Sequence, residues 1–323
     1  MFRKILQVSI ILAFIVVILG AYTRLSDAGL GCPDWPGCYG QLSVPDVKDG
    51  TTIQGFSRPL EVAKGWKEML HRYTASTLGL IILILFFLVL KGKQQRHQSL
   101  KLPGFNAFFV ILQGVFGIWT VTLLVHPVIV TLHLMGGFVT TTLLIWMLLN
   151  QSKPPAIYQH TLKKHKFILL ITLGALSLQI ALGGWTSTNY AALSCGEYFP
   201  KCLNVWWPDM DFSGALYWGP FEINYEYGIL ENPARSAIQM IHRIGALITT
   251  IFILLLIYLF RNYTHLRSNL ILITILLTIQ ITLGIFNVVL LLPIIIAVLH
   301  NIVALLLLLS IVKLVHKTFK VPT

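Results

Sequence analysis

Four histidines stand where an imidazole is costly. His71, His133, His242 and His300 each fall within the first two turns of a long apolar stretch. An imidazole inside a membrane span needs a partner or a function. The other six differ in placement. His97, His160, His165, His265 and His316 lie in or beside basic segments and His126 at a turn between two apolar runs, so all six are expected at the solvated surface. Two readings fit the intramembrane four. They can be hydrogen-bonded between helices, or they form two pairs, His71 with His133 and His242 with His300, each clamping a flat macrocycle through its metal. Zinc fits less well, because no further Cys, Asp or Glu is interleaved at metal-ligand spacing.

The paired reading implies two haem sites, and their neighbours are unequal. Glu68 stands three residues before His71, and Gln239 stands three residues before His242. Positions i and i+3 share a helix face, which aims Glu68 at the same group as His71. A carboxylate beside a porphyrin edge can take a proton or stabilise a developing cation; an amide can do neither. The plainer reading is that Glu68 complements the helix N-terminus or pairs with Lys64. Taken together, these predict chemistry in the N-terminal half and a held cofactor in the C-terminal half. Arg72 and Arg243 follow their histidines directly and can fork to a haem propionate or snorkel to the interface. Cys32 with Cys38, and Cys195 with Cys202, are spaced to close local disulfides or to exchange them, and neither pair has the C-x-x-C spacing of common redox motifs. Trp206-Trp207-Pro208-Asp209 is best explained by interfacial anchoring.

These residues need a membrane to position them. Of 323 residues 56% are hydrophobic and only 11% charged, with a mean hydropathy of +0.77. A soluble domain carries about 25% charged residues, so a water-facing surface all round is excluded, as are disorder and a small disulfide scaffold. Eight apolar runs are long enough to span, at about 5–23, 69–90, 105–125, 128–149, 167–187, 238–260, 269–291 and 294–314. The first follows Met-Phe-Arg-Lys but is long for a secretory signal and has no A-x-A-like cleavage site, so it reads as a retained helix. Segments on the side of the termini hold 15 of the 24 Lys and Arg residues and none of the 12 acidic ones. By the positive-inside rule the termini are cytoplasmic and the four histidines lie near the outer face. The net charge of +12 therefore reports topology, and no nucleic-acid partner is expected.

The chain also matches itself at an offset of about 163 to 171 residues. Gly20-Ala21-Tyr22-Thr23 falls on Gly183-Gly184-Trp185-Thr186, the cysteine pairs fall on each other, and His71-Arg72 falls on His242-Arg243. Gln113-x3-Gly117 falls on Gln280-x3-Gly284, and Leu132-His133 on Leu299-His300. The expected architecture is an all-α integral membrane protein of eight transmembrane helices, arranged as two tandem pseudo-symmetric four-helix bundles. Its parts are residues 1–150, a cytoplasmic linker at 151–166, and residues 167–323.

The chain resembles the haem A synthase family over nearly its whole length. The resemblance rests on Thr23-Arg24-Leu25, the run from Gly29-Leu30-Gly31-Cys32-Pro33-Asp34-Trp35-Pro36-Gly37-Cys38 to Tyr39-Gly40, and Glu68-Met69-Leu70-His71-Arg72. It also rests on Leu132-His133, Ile241-His242-Arg243 and Leu299-His300. It implies oxidation of the C8 methyl of haem O to a formyl group, giving haem A for terminal oxidases in a bacterial cytoplasmic membrane. Substrate haem O would lie between His71 and His133, and a b-type haem between His242 and His300. Glu68 matches the family's essential carboxylate, and Cys32 and Cys38 match a pair to which the family assigns a disulfide. Implied partners are the farnesyltransferase that makes haem O, haem-copper oxidase assembly and membrane lipid; a homo-oligomer is compatible with the sequence, which does not fix the oligomeric state. Three other readings remain open at this point: a di-haem electron carrier, a quinone-linked thiol–disulfide oxidoreductase, and a haem exporter or chaperone. Only a catalyst has need of the Glu68–Gln239 difference.

Overall fold

A computed structural model describes residues 2–92, 99–151 and 165–319. Its long helices are α1 (Phe2–Leu25), α2 (Val62–Leu90), α3 (Lys101–Thr122), α4 (Pro127–Asn150), α5 (Lys166–Thr188), α6 (Asn232–Phe260), α7 (Arg267–Val289) and α8 (Ile294–Phe319). All eight are long and apolar enough to cross a membrane, and no β-strand forms among the described residues. The protein is a multi-pass membrane protein. Most of the expected linker at 151–166, with His97 and His160, lies outside the described residues.

The helix faces show why the solvent is lipid. On α1, Leu6, Ser9, Ile10 and Ala13 are buried at helical spacing, while Val8, Ile11 and Ile15 are exposed. On α6 the buried stripe is Thr249, Ile253, Leu256 and Phe260, and the opposite face exposes Leu247, Ile251, Leu254 and Tyr258. Long exposed apolar stripes are unfavourable in water and normal against acyl chains.

Helices α2 and α6 begin six or seven residues earlier than hydropathy predicts. Val62 opens α2, and its N–H donates to Asp49 Oδ1 at 2.7 Å, a carboxylate meeting the orphan donors of a helix start. Asn232-Pro233 opens α6 with proline in the first turn, where its missing N–H costs nothing. Polar residues such as Lys64 and Arg235 hide these turns from a hydropathy window. His71 and His242 therefore lie about two and a half turns into their helices. His133 and His300 keep the expected depth, seven residues into α4 and α8.

Chain contacts divide the protein into two compact units. The first is Met1–Leu144, Ser187–Tyr190 and Leu216–Leu230; the second is Ile145–Thr186, Ala191–Ala215 and Glu231–Thr323. These units are not two contiguous halves. In the first, α2 packs along α1 and α3, and the segment 216–230 is tied in by three sets of contacts. Tyr225 N–H donates to Leu124 O at 3.1 Å. Arg58 donates twice to the Glu226 carboxylate, at 2.7 and 2.8 Å. Phe221 stacks on His126 with ring centres 4.5 Å apart. In the second unit α7 runs against α8, and Asn269 Nδ2 donates to Ser310 O at 3.2 Å.

Both tight turns follow the same device. Leu124 and Val125 after α3, and Leu291 and Leu292 after α7, have φ between 49° and 62°, a left-handed conformation that costs a bulky residue about 1–2 kcal/mol. Each turn is closed by an N–H to a helix carbonyl at 2.8 Å, Val125 to Thr120 and Leu292 to Asn287. Such bonds satisfy carbonyls that the helix end leaves open.

Three expectations of solvated histidines are corrected. His126 is 1% exposed, set between Phe221 and Tyr225, and burial pushes its pKa down. His316 is buried with Nε2 2.9 Å from Asn150 Oδ1 and its ring against Trp146. His165 packs against Phe260 and Tyr263. Hydropathy placed them at span ends, where aromatic neighbours brought in by folding cover them.

Candidate functional site

In the first unit the imidazoles of His71 and His133 face each other across α2 and α4. Their ring centres are 6.4 Å apart and their planes lie at 88°. Nδ1 of each is buried with no hydrogen-bond partner among the described residues. Glycines make the space: a Cβ on Gly20 would come within 2.9 Å of His71 Cε1, and one on Gly117 within 3.7 Å of His133 Cε1. The second unit repeats the contacts: a Cβ on Gly183 would lie 3.2 Å from His242 Cε1, and one on Gly284 3.1 Å from His300 Cε1. There Gln179 Nε2 lies 3.0 Å from His242 Nδ1, and Gln280 Nε2 lies 3.2 Å from His300 Nε2. His300 Nδ1 is buried and unpartnered.

The separation of the first pair fits a haem. Two imidazoles bound to opposite sides of one metal, at about 2 Å each, set their ring centres about 6 Å apart. Bare buried nitrogens call for a ligand that the protein does not itself supply. Among the described residues no cluster of three or more His, Cys, Asp or Glu comes together. A metal carried in a ring of four nitrogens needs only the pair.

Glu68 is the single carboxylate within the eight helices, and it is 4% exposed. Its Oε2 accepts the Cys32 N–H at 2.9 Å, and its Oε1 takes an ion pair from Arg72 Nη2. Lys64 turns instead to Glu61 at 2.8 Å, so the simple Lys64–Glu68 pair is absent. The disulfide Cys32–Cys38 is closed, and the Asp34 carboxylate pins its loop by accepting the N–H groups of Tyr39 and Gly40 at 2.6 and 2.8 Å. Arg72 Nη1 donates to the carbonyls of Asp34 and Gly37 at 2.9 and 2.6 Å.

The second loop is built alike up to one atom type. Cys195–Cys202 is closed, and Arg243 donates to the carbonyls of Tyr198, Pro200 and Lys201 at 3.2, 3.2 and 2.9 Å. Gln239 is buried, and its Oε1 has no partner among the described residues. Both arginines thus hold loop carbonyls, an arrangement that sequence reasoning missed, since a carbonyl acceptor leaves no mark in residue type. Trp206 and Trp207 are exposed.

Sequence reasoning also missed a small network in the first unit. Tyr190 Oη donates to Asp27 Oδ1 at 2.7 Å, and the Arg24 guanidinium lies 4.3 Å over the Tyr190 ring. With Tyr225 and Glu226 they line a cavity of about 10 Å³, room for about one water. Burial raises the pKa of Tyr190, and the Glu226 carboxylate raises that of Arg58. The only sequence signal was Arg24 in its Thr-Arg-Leu run.

The fold and these sites define an all-helical, eight-span membrane protein with two intramembrane histidine pairs beneath disulfide-closed loops. The cytochrome oxidase assembly protein family COX15-CtaA matches residues 3–312, and the chain belongs to that family. A protein named Heme A synthase from Shewanella oneidensis is 42% identical over 317 residues, covering 96% of this chain and 94% of that relative. Proteins of the same name from Chelativorans sp. and Neorickettsia sennetsu are 28% and 26% identical. They cover 93% and 95% of this chain, and 86% and 96% of their own lengths.

Proposed function

We propose that this protein is a haem A synthase, an oxidoreductase that converts the C8 methyl of haem O to the formyl group of haem A. The observation that carries the reading is one histidine pair at haem-ligating separation, of which His71 shares its helix with the single carboxylate found in the eight described helices. His71 and His133 hold substrate haem O by its iron, which fixes the ring edge against α2. Holding a reactant in place supplies much of a catalyst's advantage. Glu68, one turn outward of His71, is the group that accepts a proton or stabilises developing positive charge at the ring edge, while the electrons removed from the methyl carbon leave through the second haem to an external acceptor. Arg72 and the Cys32 amide keep its carboxylate ordered for that work.

His242 and His300 hold a b-type haem in the second unit, and Gln179 and Gln280 orient the imidazoles. That haem supplies electron transfer when bound. Chemistry is assigned to the N-terminal half and electron handling to the C-terminal half. Both termini lie in the cytoplasm of a bacterial cell and the histidine pairs near the outer face, as the charge distribution supports. The haem O-forming farnesyltransferase precedes this protein, and haem-copper oxidase assembly follows it.

The test is acid–acetone extraction of haem from protein purified after co-expression with the haem O-forming enzyme, followed by chromatography. Haem A beside haem B is the expected result. Haem O bound but unchanged would overturn the reading in favour of a carrier or chaperone.

A further inference from the structure

Arg72 touches both Glu68 and the disulfide loop, and neither contact follows from its neighbour His71. One guanidinium nitrogen reaches the carbonyls of Asp34 and Gly37 inside the Cys32–Cys38 ring, and the other reaches Glu68. The second oxygen of Glu68 is held by the amide of Cys32. Cys32 and Cys38 are both fully buried, packed with Tyr39, Val44, Leu60 and Met69. The carboxylate is therefore gripped on both oxygens by groups whose positions depend on how the loop is closed.

The second unit separates the two jobs of the arginine. Arg243 makes the same grip on loop carbonyls, yet the residue one turn before it is Gln239, whose oxygen it does not bond. Holding a loop accounts for the arginine in both units. Only the first adds a carboxylate to be held.

We propose that Arg72 is a positioning residue for Glu68, and that the Cys32–Cys38 disulfide acts on the carboxylate through it. Closing the loop sets the carbonyls of Asp34 and Gly37, these set the guanidinium, and the planar fork sets Glu68. Arginine is required because a lysine ammonium is a point charge that cannot bridge carbonyls and carboxylate in one plane. This inference deepens the haem A synthase reading and rests on it for its kinetic arm alone.

Two measurements test it. The first is the infrared carboxylate band of Glu68 in the full-length protein, isolated by subtracting the spectrum of Glu68→Gln. The band is expected to move in Arg72→Lys and equally in Cys32→Ala/Cys38→Ala, which keeps the Cys32 amide but opens the ring. Cys195→Ala/Cys202→Ala is expected to leave it in place. A band unmoved by opening the first ring would overturn the proposal. This arm needs no turnover, so its failure is distinct from failure of the haem A synthase reading.

The second is a double-mutant cycle on haem A formation. Misplacement of a reacting group by about 1 Å can cost about 100-fold, so Arg72→Lys and the Cys32/Cys38 variant are each expected to lower kcat by about 10- to 100-fold with KM nearly unchanged. Their combination is expected to be no worse than the worse of the two, because both act along one route. Multiplying losses, or a loss confined to KM, would overturn it.

Discussion

The two disulfide loops and the helices beneath them invite direct comparison. Each loop is closed by a cysteine pair, each is gripped through its carbonyls by the arginine that follows a partly buried histidine, and each histidine packs on a glycine of the preceding span. They part at one position. Glu68 is bonded on both oxygens, to Arg72 and to Cys32 N–H, whereas Gln239 keeps a buried oxygen with no partner among the described residues. A buried anion survives only where charge and donors meet it. The first loop is built to meet one and the second is not. The difference teaches that the two loops share a frame of disulfide, arginine and histidine, and that under the proposed reading reactivity belongs to the one that adds a held carboxylate.

The comparison breaks most sharply at that carboxylate. Glu68→Gln makes the first site resemble the second, and is expected to keep haem bound while haem A falls at least about 100-fold. Extraction and chromatography check this, and retained product would remove the catalytic role. The histidines come next. His242→Ala is expected to lose the resident b-type haem and His71→Ala to keep it, read by a pyridine haemochrome assay on each purified variant. Equal loss from both would erase the division between the pairs.

Smaller effects sharpen the picture. Gly20→Ala would bring a methyl within 2.9 Å of His71, and Gly183→Ala one within 3.2 Å of His242. Overpacking costs about 1–3 kcal/mol, and the first variant is expected to show the larger fall in thermal stability and the larger change in its haem spectrum. The smallest effect concerns Tyr190, which the first unit alone possesses. Tyr190→Phe loses the bond to Asp27, at a cost of about 1 kcal/mol. Because burial raises the pKa of Tyr190, the folded state holds its proton longer than the unfolded state. That contribution is complete below the unfolded value near pH 10 and is lost as pH rises through the folded value. Melting curves of the native protein are expected to fall more steeply above pH 10 than those of Tyr190→Phe.

Much of this was legible in the residues. Eight spans follow from runs of apolar side chains, because the cost of placing polar groups in hydrocarbon is paid residue by residue along the chain. The four intramembrane histidines and the Glu68–Gln239 difference also follow, since a costly group in a span is visible without knowing its neighbours. Helix starts at Val62 and Asn232 were not legible. Beyond the hydrocarbon, a cap such as Asp49 decides where a helix begins, and it comes from another part of the chain.

The tertiary structure alone decided the rest. It put Arg72 and Arg243 on the carbonyls of their disulfide loops. It buried His126 under Phe221 and Tyr225, and it drew residues 216–230 into the first unit through Arg58 and Glu226. The physical reason is common to all three. Hydropathy and charge belong to single residues and can be read in order, whereas a backbone carbonyl is the same at every position. Which carbonyl meets which guanidinium is settled only when distant segments pack.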